Sequence, residues 1–232
     1  MHIGGLLKNS MIDYPGKVSC GIFLAGCNFD CPYCHNPQLV SGGGSCSSEF
    51  EPDSVYRFIE TRKGFLDGVV ISGGEPTLQA DLYDLCRHIK EMDYSVKLDT
   101  NGSRPQVLKR LIADGLVDYI AMDLKTDPVK YATYIQSNCN VNAIFSSIEI
   151  IMESAVSYEF RTTCVKPIVT AQIIENICRL IEGARVYALQ RFHKSEMLHP
   201  EFFREANYEY TDDELEQLKA VADPFVNQVI VR

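Results

Sequence analysis

The sequence predicts an α/β fold, a parallel sheet with helices on its outer face, rolled only part of the way into a barrel. Short apolar runs alternate with longer stretches of helical periodicity along the chain, the pattern of successive βαβ units. About six such strands precede the last helix, fewer than the eight of a closed (β/α) barrel. A cysteine-rich loop follows the first of them directly, and loops after strand C-termini are where such folds carry their chemistry.

The elements follow in order. Val18–Ala25 is a buried strand, and the cysteine-rich loop runs on to about Asn36. Ser41–Ser45, with three glycines, is a flexible turn, and Pro52–Lys63 is helical. Gly68–Ser72 is a second strand. Leu78–Met92 is a helix, because Leu78, Leu82, Leu85 and Ile89 fall on one face. Ser95–Thr100 alternates like a strand and stops at the turn signal Asn101-Gly102. Val107–Ala113 is a helix, Val117–Leu124 a strand and Asp127–Ile135 a short helix opened by Pro128. Then come a helix over Ile144–Met152, a strand over Glu159–Cys164, a helix over Ala171–Ile181 and a strand over Arg185–Gln190. The helix over Thr211–Ala222 carries its own punctuation: Thr211 caps it, Glu214 completes a capping box and Pro224 ends it. Phe225–Val231 is a last strand. There is no internal repeat, low-complexity segment or linker, so a single domain over 1–232 is expected.

The 232 residues are 46% apolar and 23% charged, enough for a substantial core. Twenty-two Lys and Arg against 31 Asp and Glu leave a net charge of −9. That balance disfavours nucleic-acid binding through bulk charge. No apolar run approaches the roughly 18 residues of a membrane span, and Met1–Gly5 lacks the features of a secretory signal. A cytoplasmic protein is expected.

Nine cysteines, an odd number in a reducing compartment, do not suggest a disulfide framework. Cys20, Cys46, Cys86, Cys139, Cys164 and Cys178 are scattered and read as packed core thiols. Cys27, Cys31 and Cys34 are crowded into eight positions. Three thiolates at that spacing can close on one metal centre, and soft sulfur selects zinc or iron–sulfur clusters. A cubane cluster usually takes four cysteines; with three, one iron stays open to a substrate or cofactor. Two other readings use the same residues. Cys31-Pro-Tyr-Cys34-His35 matches a c-type haem attachment signature, and Cys27, Cys31, Cys34 and His35 could form a Cys3His zinc site, although adjacent ligands close awkwardly.

The next strand ends in Ser72-Gly73-Gly74-Glu75-Pro76. With C-x3-C-x2-C after the first strand, this turn resembles the radical S-adenosylmethionine (SAM) superfamily. The resemblance implies one [4Fe–4S] cluster on Cys27, Cys31 and Cys34, with SAM chelating the fourth iron through its amino and carboxylate groups. It places Gly73, Gly74, Glu75 and Pro76 at the SAM amino group. Ser10–Gly16, Cys34–Pro37, Leu98–Gly102 and Met122–Lys125 look more narrowly like glycyl-radical-enzyme activases. These are anaerobic ribonucleoside-triphosphate reductase activating proteins and the related pyruvate formate-lyase activating enzymes.

From that resemblance Asp99 and Lys125 are expected to contact SAM, and His193 to lie near its ribose. Asp99, Thr100 and Asp123 would hold a monovalent cation, and Asp13 and His35 would face the substrate. It implies a partial (β/α)6-type open TIM barrel with a core over about 18–192 and a helix-and-strand extension over about 193–232. It also implies reductive cleavage of SAM to a 5′-deoxyadenosyl radical, with no catalytic side chain beyond the cluster and SAM. The partners it implies are a glycyl radical enzyme as protein substrate and a flavodoxin or ferredoxin-type electron donor. The chain departs from the usual pattern in two places. Tyr14-Pro15-Gly16 stands where Gly-Pro-Gly is usual, and the other six cysteines form no C-x-x-C pair, so a single cluster is expected. A radical SAM enzyme acting on a small molecule or a modified RNA base, and a non-enzymatic iron–sulfur electron carrier, are the rival functions.

Overall fold

In the computed structural model, which describes residues 1–41, 50–193, 197–203 and 207–232, eight strands form one sheet in sequence order. They are β1 (Ile3–Ser10), β2 (Ser19–Leu24), β3 (Gly68–Gly73), β4 (Ser95–Thr100), β5 (Tyr119–Asp123), β6 (Ser157–Cys164), β7 (Tyr187–Arg191) and β8 (Val229–Val231). β1 pairs antiparallel with β2, and every later pair is parallel. β1 and β8 are the two edges, so the barrel is open. The expected last strand is the short β8, which extends the sheet from β7.

Eight helices accompany these strands among the described residues: α1 (Pro37–Val40), α2 (Pro52–Glu60), α3 (Leu82–Glu91), α4 (Pro105–Ala113), α5 (Tyr131–Tyr134), α6 (Val141–Glu153), α7 (Ala171–Leu180) and α8 (Asp212–Ala222). Local chemistry sets their ends. Proline opens α2 and α4, where a missing N–H costs nothing. The Thr170 hydroxyl accepts from the Ile173 amide to cap α7, and Thr211 and Glu214 form the expected capping box on α8. Each of the longer helices buries one apolar stripe in the core. In α3 the stripe is Leu82, Leu85, Cys86 and Ile89, all at most 1% exposed, and each large member contributes about 1.5–3 kcal/mol. One apolar cluster runs from Ile3 to Val229. No helix among the described residues is long and apolar enough to cross a membrane.

Three local expectations are revised. The helix expected over Leu78–Met92 starts at Leu82, after a 3-10 turn over Pro76–Leu78 that Pro76 opens. Asp127–Ile135 divides into a 3-10 turn at Pro128–Lys130 and the single turn α5. β1 is a strand beyond those the sequence predicts, and its direction relocates Asp13. Ser10 pairs with Ser19 at the start of β2, so the loop carrying Asp13 hangs from the N-terminal end of the parallel strands. The glycine-rich turn beyond Ser41, and Cys46, lie outside the described residues.

Candidate active site

The C-terminal ends of β2 to β7 surround a cavity of about 360 Å³. Its wall is built strand by strand. The loop after β2 supplies Cys27, Cys31, Cys34 and His35; β3 and its turn supply Ser72, Gly73, Gly74 and Glu75. β4 supplies Asp99 and Thr100, β5 Asp123 and then Lys125, β6 Thr163, and β7 Gln190 and Arg191, followed by His193. The structure therefore brings together most of the residues singled out from sequence. Asp13 is the correction, because it sits at the other end of the barrel. Pro76 is buried behind the wall as the first residue of its 3-10 turn.

Main-chain contacts join the cysteine loop to the next strand end. The Gly74 amide donates to the Leu24 carbonyl and the Glu75 amide to the Gly26 carbonyl, both at 2.8 Å. The approach leaves no room for a side chain. A Cβ on Gly74 would stand 2.1 Å from the Gly26 oxygen, and one on Gly73, at φ +120°, would stand 2.3 Å from the Leu24 oxygen. Further along, the Asn101 side-chain amide donates to Asn28 Oδ1 at 3.0 Å, and the Tyr33 hydroxyl donates to the Lys125 carbonyl at 3.3 Å.

The Glu75 carboxylate is engaged by the protein itself. The residue is 1% exposed. Oε1 accepts from the Thr77 amide at 3.1 Å, from the Thr77 hydroxyl and from the Thr100 hydroxyl at 2.8 Å. Oε2 accepts from the Asn101 amide at 2.6 Å. Burial pushes this carboxyl above its usual range while the donors pull the other way. Its side chain bolts the β3 turn to the β4 turn, and Gly73, Gly74 and Glu75 line the cavity.

A ladder of charges crosses the inner face beside this node. Asp99 receives Lys97 on Oδ1, and on Oδ2 the Ser72 hydroxyl and the Arg161 guanidinium, each at 3.2 Å. Arg161 Nε reaches Asp123 Oδ1 at 2.7 Å, and Lys125 Nζ reaches Asp123 Oδ2 at 2.8 Å. Burial alone would raise the Asp123 carboxyl; Arg161 and Lys125 outweigh it and hold it well below the usual carboxylate range. Burial works against the Lys125 ammonium too, but Asp123 overrides it and raises the pKa well above the usual value.

Thr100 stands apart from this ladder in the Glu75 node, where its hydroxyl also accepts from the Gly102 amide at 3.1 Å. The expected cation trio of Asp99, Thr100 and Asp123 is therefore not gathered into one cage, and both aspartates already face cationic side chains. Lys97, Ser72 and Arg161 were not picked out from sequence. Their signal was alternation. Glu159, Arg161 and Thr163 fall on one face of β6, and Lys97 and Asp99 on one face of β4, giving a polar lumen inside an apolar shell.

The three thiols suit an iron–sulfur centre. All three face the cavity, and the Phe29 amide donates to Cys27 Sγ at 3.4 Å, a bond that favours the thiolate. Burial pushes the Cys31 thiol up to about 12, so a metal that binds thiolate must supply the compensating charge. Among the described residues no three His, Cys, Asp or Glu side chains converge on a single ion. Three thiols lining one cavity leave a fourth position open, the donor set of a [4Fe–4S] cluster with one iron free. His35 is exposed and lies against Phe192, with ring centroids 5.3 Å apart.

A cysteine-rounded cavity at the mouth of an open parallel barrel defines an iron–sulfur enzyme of the (β/α) class. The chain belongs to the radical SAM superfamily, matching it over residues 22–181. It is 35% identical over 237 residues to a Methanocaldococcus jannaschii protein that bears the name glycyl-radical enzyme activating enzyme, a match covering 99% of this chain and 95% of the relative. It is 31% identical over 135 residues to the pyruvate formate-lyase-activating enzyme of Clostridium pasteurianum, across 53% of this chain and 52% of that one. Among solved structures, Streptococcus suis SuiB bound to S-adenosylmethionine superposes with a TM-score of 0.67 at 13% identity. That match covers 91% of this chain and about half of SuiB (51%), and supports the barrel architecture alone. The cofactors of the family are a [4Fe–4S] cluster and SAM.

Proposed function

We propose that this enzyme installs a glycyl radical on a partner enzyme, anaerobic ribonucleotide reductase being the first candidate. The observation that carries the reading is the nearly end-to-end similarity to a protein named for glycyl-radical enzyme activation. The geometry supports the chemistry underneath it. Cys27, Cys31 and Cys34 would hold the [4Fe–4S] cluster, which when bound would supply one-electron reductive cleavage of SAM.

The chain's own residues position SAM and keep water out. The backbone of Gly73–Glu75 receives the SAM amino group. Lys125 and Asp99 would contact SAM, and the pairing of each with Asp123 or Lys97 holds its direction before SAM arrives. His193, at the cavity wall, would lie near the ribose, and His35, packed against Phe192, would face the entering glycine segment. We take residues 1–232 as one domain, with 193–232 as an extension, working in the cytoplasm with a flavodoxin or ferredoxin-type donor.

The test is anaerobic reconstitution with iron and sulfide, reduction with SAM present, and mass-spectrometric counting of 5′-deoxyadenosine. A partner carrying deuterated glycine then reports the hydrogen donor. Deuterium in 5′-deoxyadenosine supports the proposal. 5′-Deoxyadenosine without label moves the hydrogen donor to a small molecule or RNA base. Iron uptake with no cleavage leaves an electron carrier. Ala at Cys27, Cys31 or Cys34 singly should abolish iron uptake, while Cys86→Ala, inside α3, should retain it.

A further inference from the structure

The segment 197–203, beyond the stretch that matches the superfamily, crosses the outside of the cysteine loop and fastens to it at consecutive points. The Leu198 amide donates to the Cys34 carbonyl at 3.2 Å and the His199 amide to the Pro32 carbonyl at 3.1 Å. The His199 ring then spans two carboxylates, with Nε2 at 2.8 Å from Asp30 Oδ1 and Nδ1 at 3.0 Å from Glu201 Oε1. Phe203, four residues on, stacks against Phe192 at 5.9 Å, and Phe192 packs on His35. One short strap thus grips Asp30, Pro32, Cys34 and the flank of His35, while the inner side of the same loop is tied to β3, β4 and β5.

The strap does not face the cavity, and its contacts on the loop are with backbone carbonyls and one carboxylate beside the thiols. From this geometry we infer that His199 is a positioning residue for the cluster. Acting through Asp30 and the strap, it holds the loop that presents Cys31 and Cys34 at the spacing the cluster requires. The inference rests on the reading of Cys27, Cys31 and Cys34 as ligands.

A backbone loop with three free thiols has many shapes, and a cluster binds only those that present all three sulfurs together. Each outer fastening removes shapes that cannot bind, so the strap works as preorganisation. His199 bonds both acids only when both ring nitrogens donate. An arginine at this position has donors for both acids, whereas an alanine has none.

The test compares wild type, His199→Ala and His199→Arg. Hydrogen exchange over residues 28–36, read before reconstitution, reports the strap without the cluster. Release of iron to a chelator after reconstitution, together with the spectrum of the reduced cluster, reports the consequence. For His199→Ala we expect exchange across the loop and iron release both to rise about tenfold, with a melting temperature within about 2 °C of wild type because the side chain is partly exposed. His199→Arg should return both rates toward wild type.

Unchanged loop exchange and iron release in His199→Ala would overturn the inference. So would a lowered melting temperature with exchange raised evenly through the barrel, which marks a general structural role. If the cysteine variants keep their iron, the ligand assignment fails while the exchange result still reads the strap, so the two failures are distinguishable.

Discussion

Glu75→Gln tests the role assigned to the buried carboxylate, and the structure gives the size of the effect. The new amide nitrogen must replace one carboxylate oxygen. At the Oε1 position it would meet three donors, including the Thr77 amide. At Oε2 it meets only the Asn101 amide, which is the less costly choice. Even there, one charge-assisted bond worth about 1.5–3 kcal/mol is lost and a buried N–H is left unsatisfied at about 1–3 kcal/mol. Removing a carboxylate that burial disfavours recovers part of this. A net loss of about 2–4 kcal/mol remains, which lowers the melting temperature by about 4–16 °C in a chain of this length. Thermal unfolding of metal-free protein followed by circular dichroism gives the number, and calorimetry of SAM binding to reconstituted protein gives the companion effect. A melting temperature within about 1 °C of wild type would refute the argument. Joined to lost SAM binding, it would return the carboxylate to the cofactor, as the family resemblance first suggested.

Three further predictions follow from the same wall. Gly74→Ala puts a methyl 2.1 Å from the Gly26 oxygen and should cut iron uptake sharply while leaving the far-ultraviolet spectrum unchanged. Arg161→Met takes from Asp99 and Asp123 the cation that they share; it should cost about 3–5 kcal/mol in urea unfolding and raise the KM for SAM. Asp123 titrates below its unfolded range, so its stabilisation is complete above the unfolded pKa and fades as pH falls toward the depressed folded value. The stability difference between wild type and Asp123→Asn should stay level from about pH 5 to 8 and shrink below about pH 4.

Much of the fold was legible because β2, β3, β5 and β7 are short, nearly continuous apolar runs and β4 and β6 alternate apolar with polar residues, each bounded by turn residues. β1 escaped because Ile3–Ser10 holds two adjacent glycines, a lysine and an asparagine, a composition that argues against a strand until β2 is present to pair with it. That omission misplaced Asp13, since only the antiparallel pairing shows which end of the barrel its loop occupies. The cysteines and glycines were legible because their spacing along the chain is itself the constraint. Arg161 and Lys97 were not, because a lone charge in a strand declares itself only when the neighbouring strands show which face is the lumen. Glu75 was found from its motif, but the partners of its carboxylate were not. Its four donors come from Thr77, Thr100 and Asn101, and a motif does not reveal that its acid is already engaged by residues from the next strand.

The seam between Leu24–Gly26 and Gly73–Glu75 consists of main-chain atoms, and what it demands of the sequence is an absence, the missing methyl at two positions. No compensating change elsewhere can restore it, because a carbonyl 2.1 Å from a new methyl belongs to the backbone and not to a side chain that could be trimmed. The surrounding wall can drift in composition and be repaired by second-site changes, but this junction cannot. Transplanting the cluster loop into another barrel would therefore require carrying the two glycines across with the three cysteines, as a single heritable unit split over two distant parts of the chain.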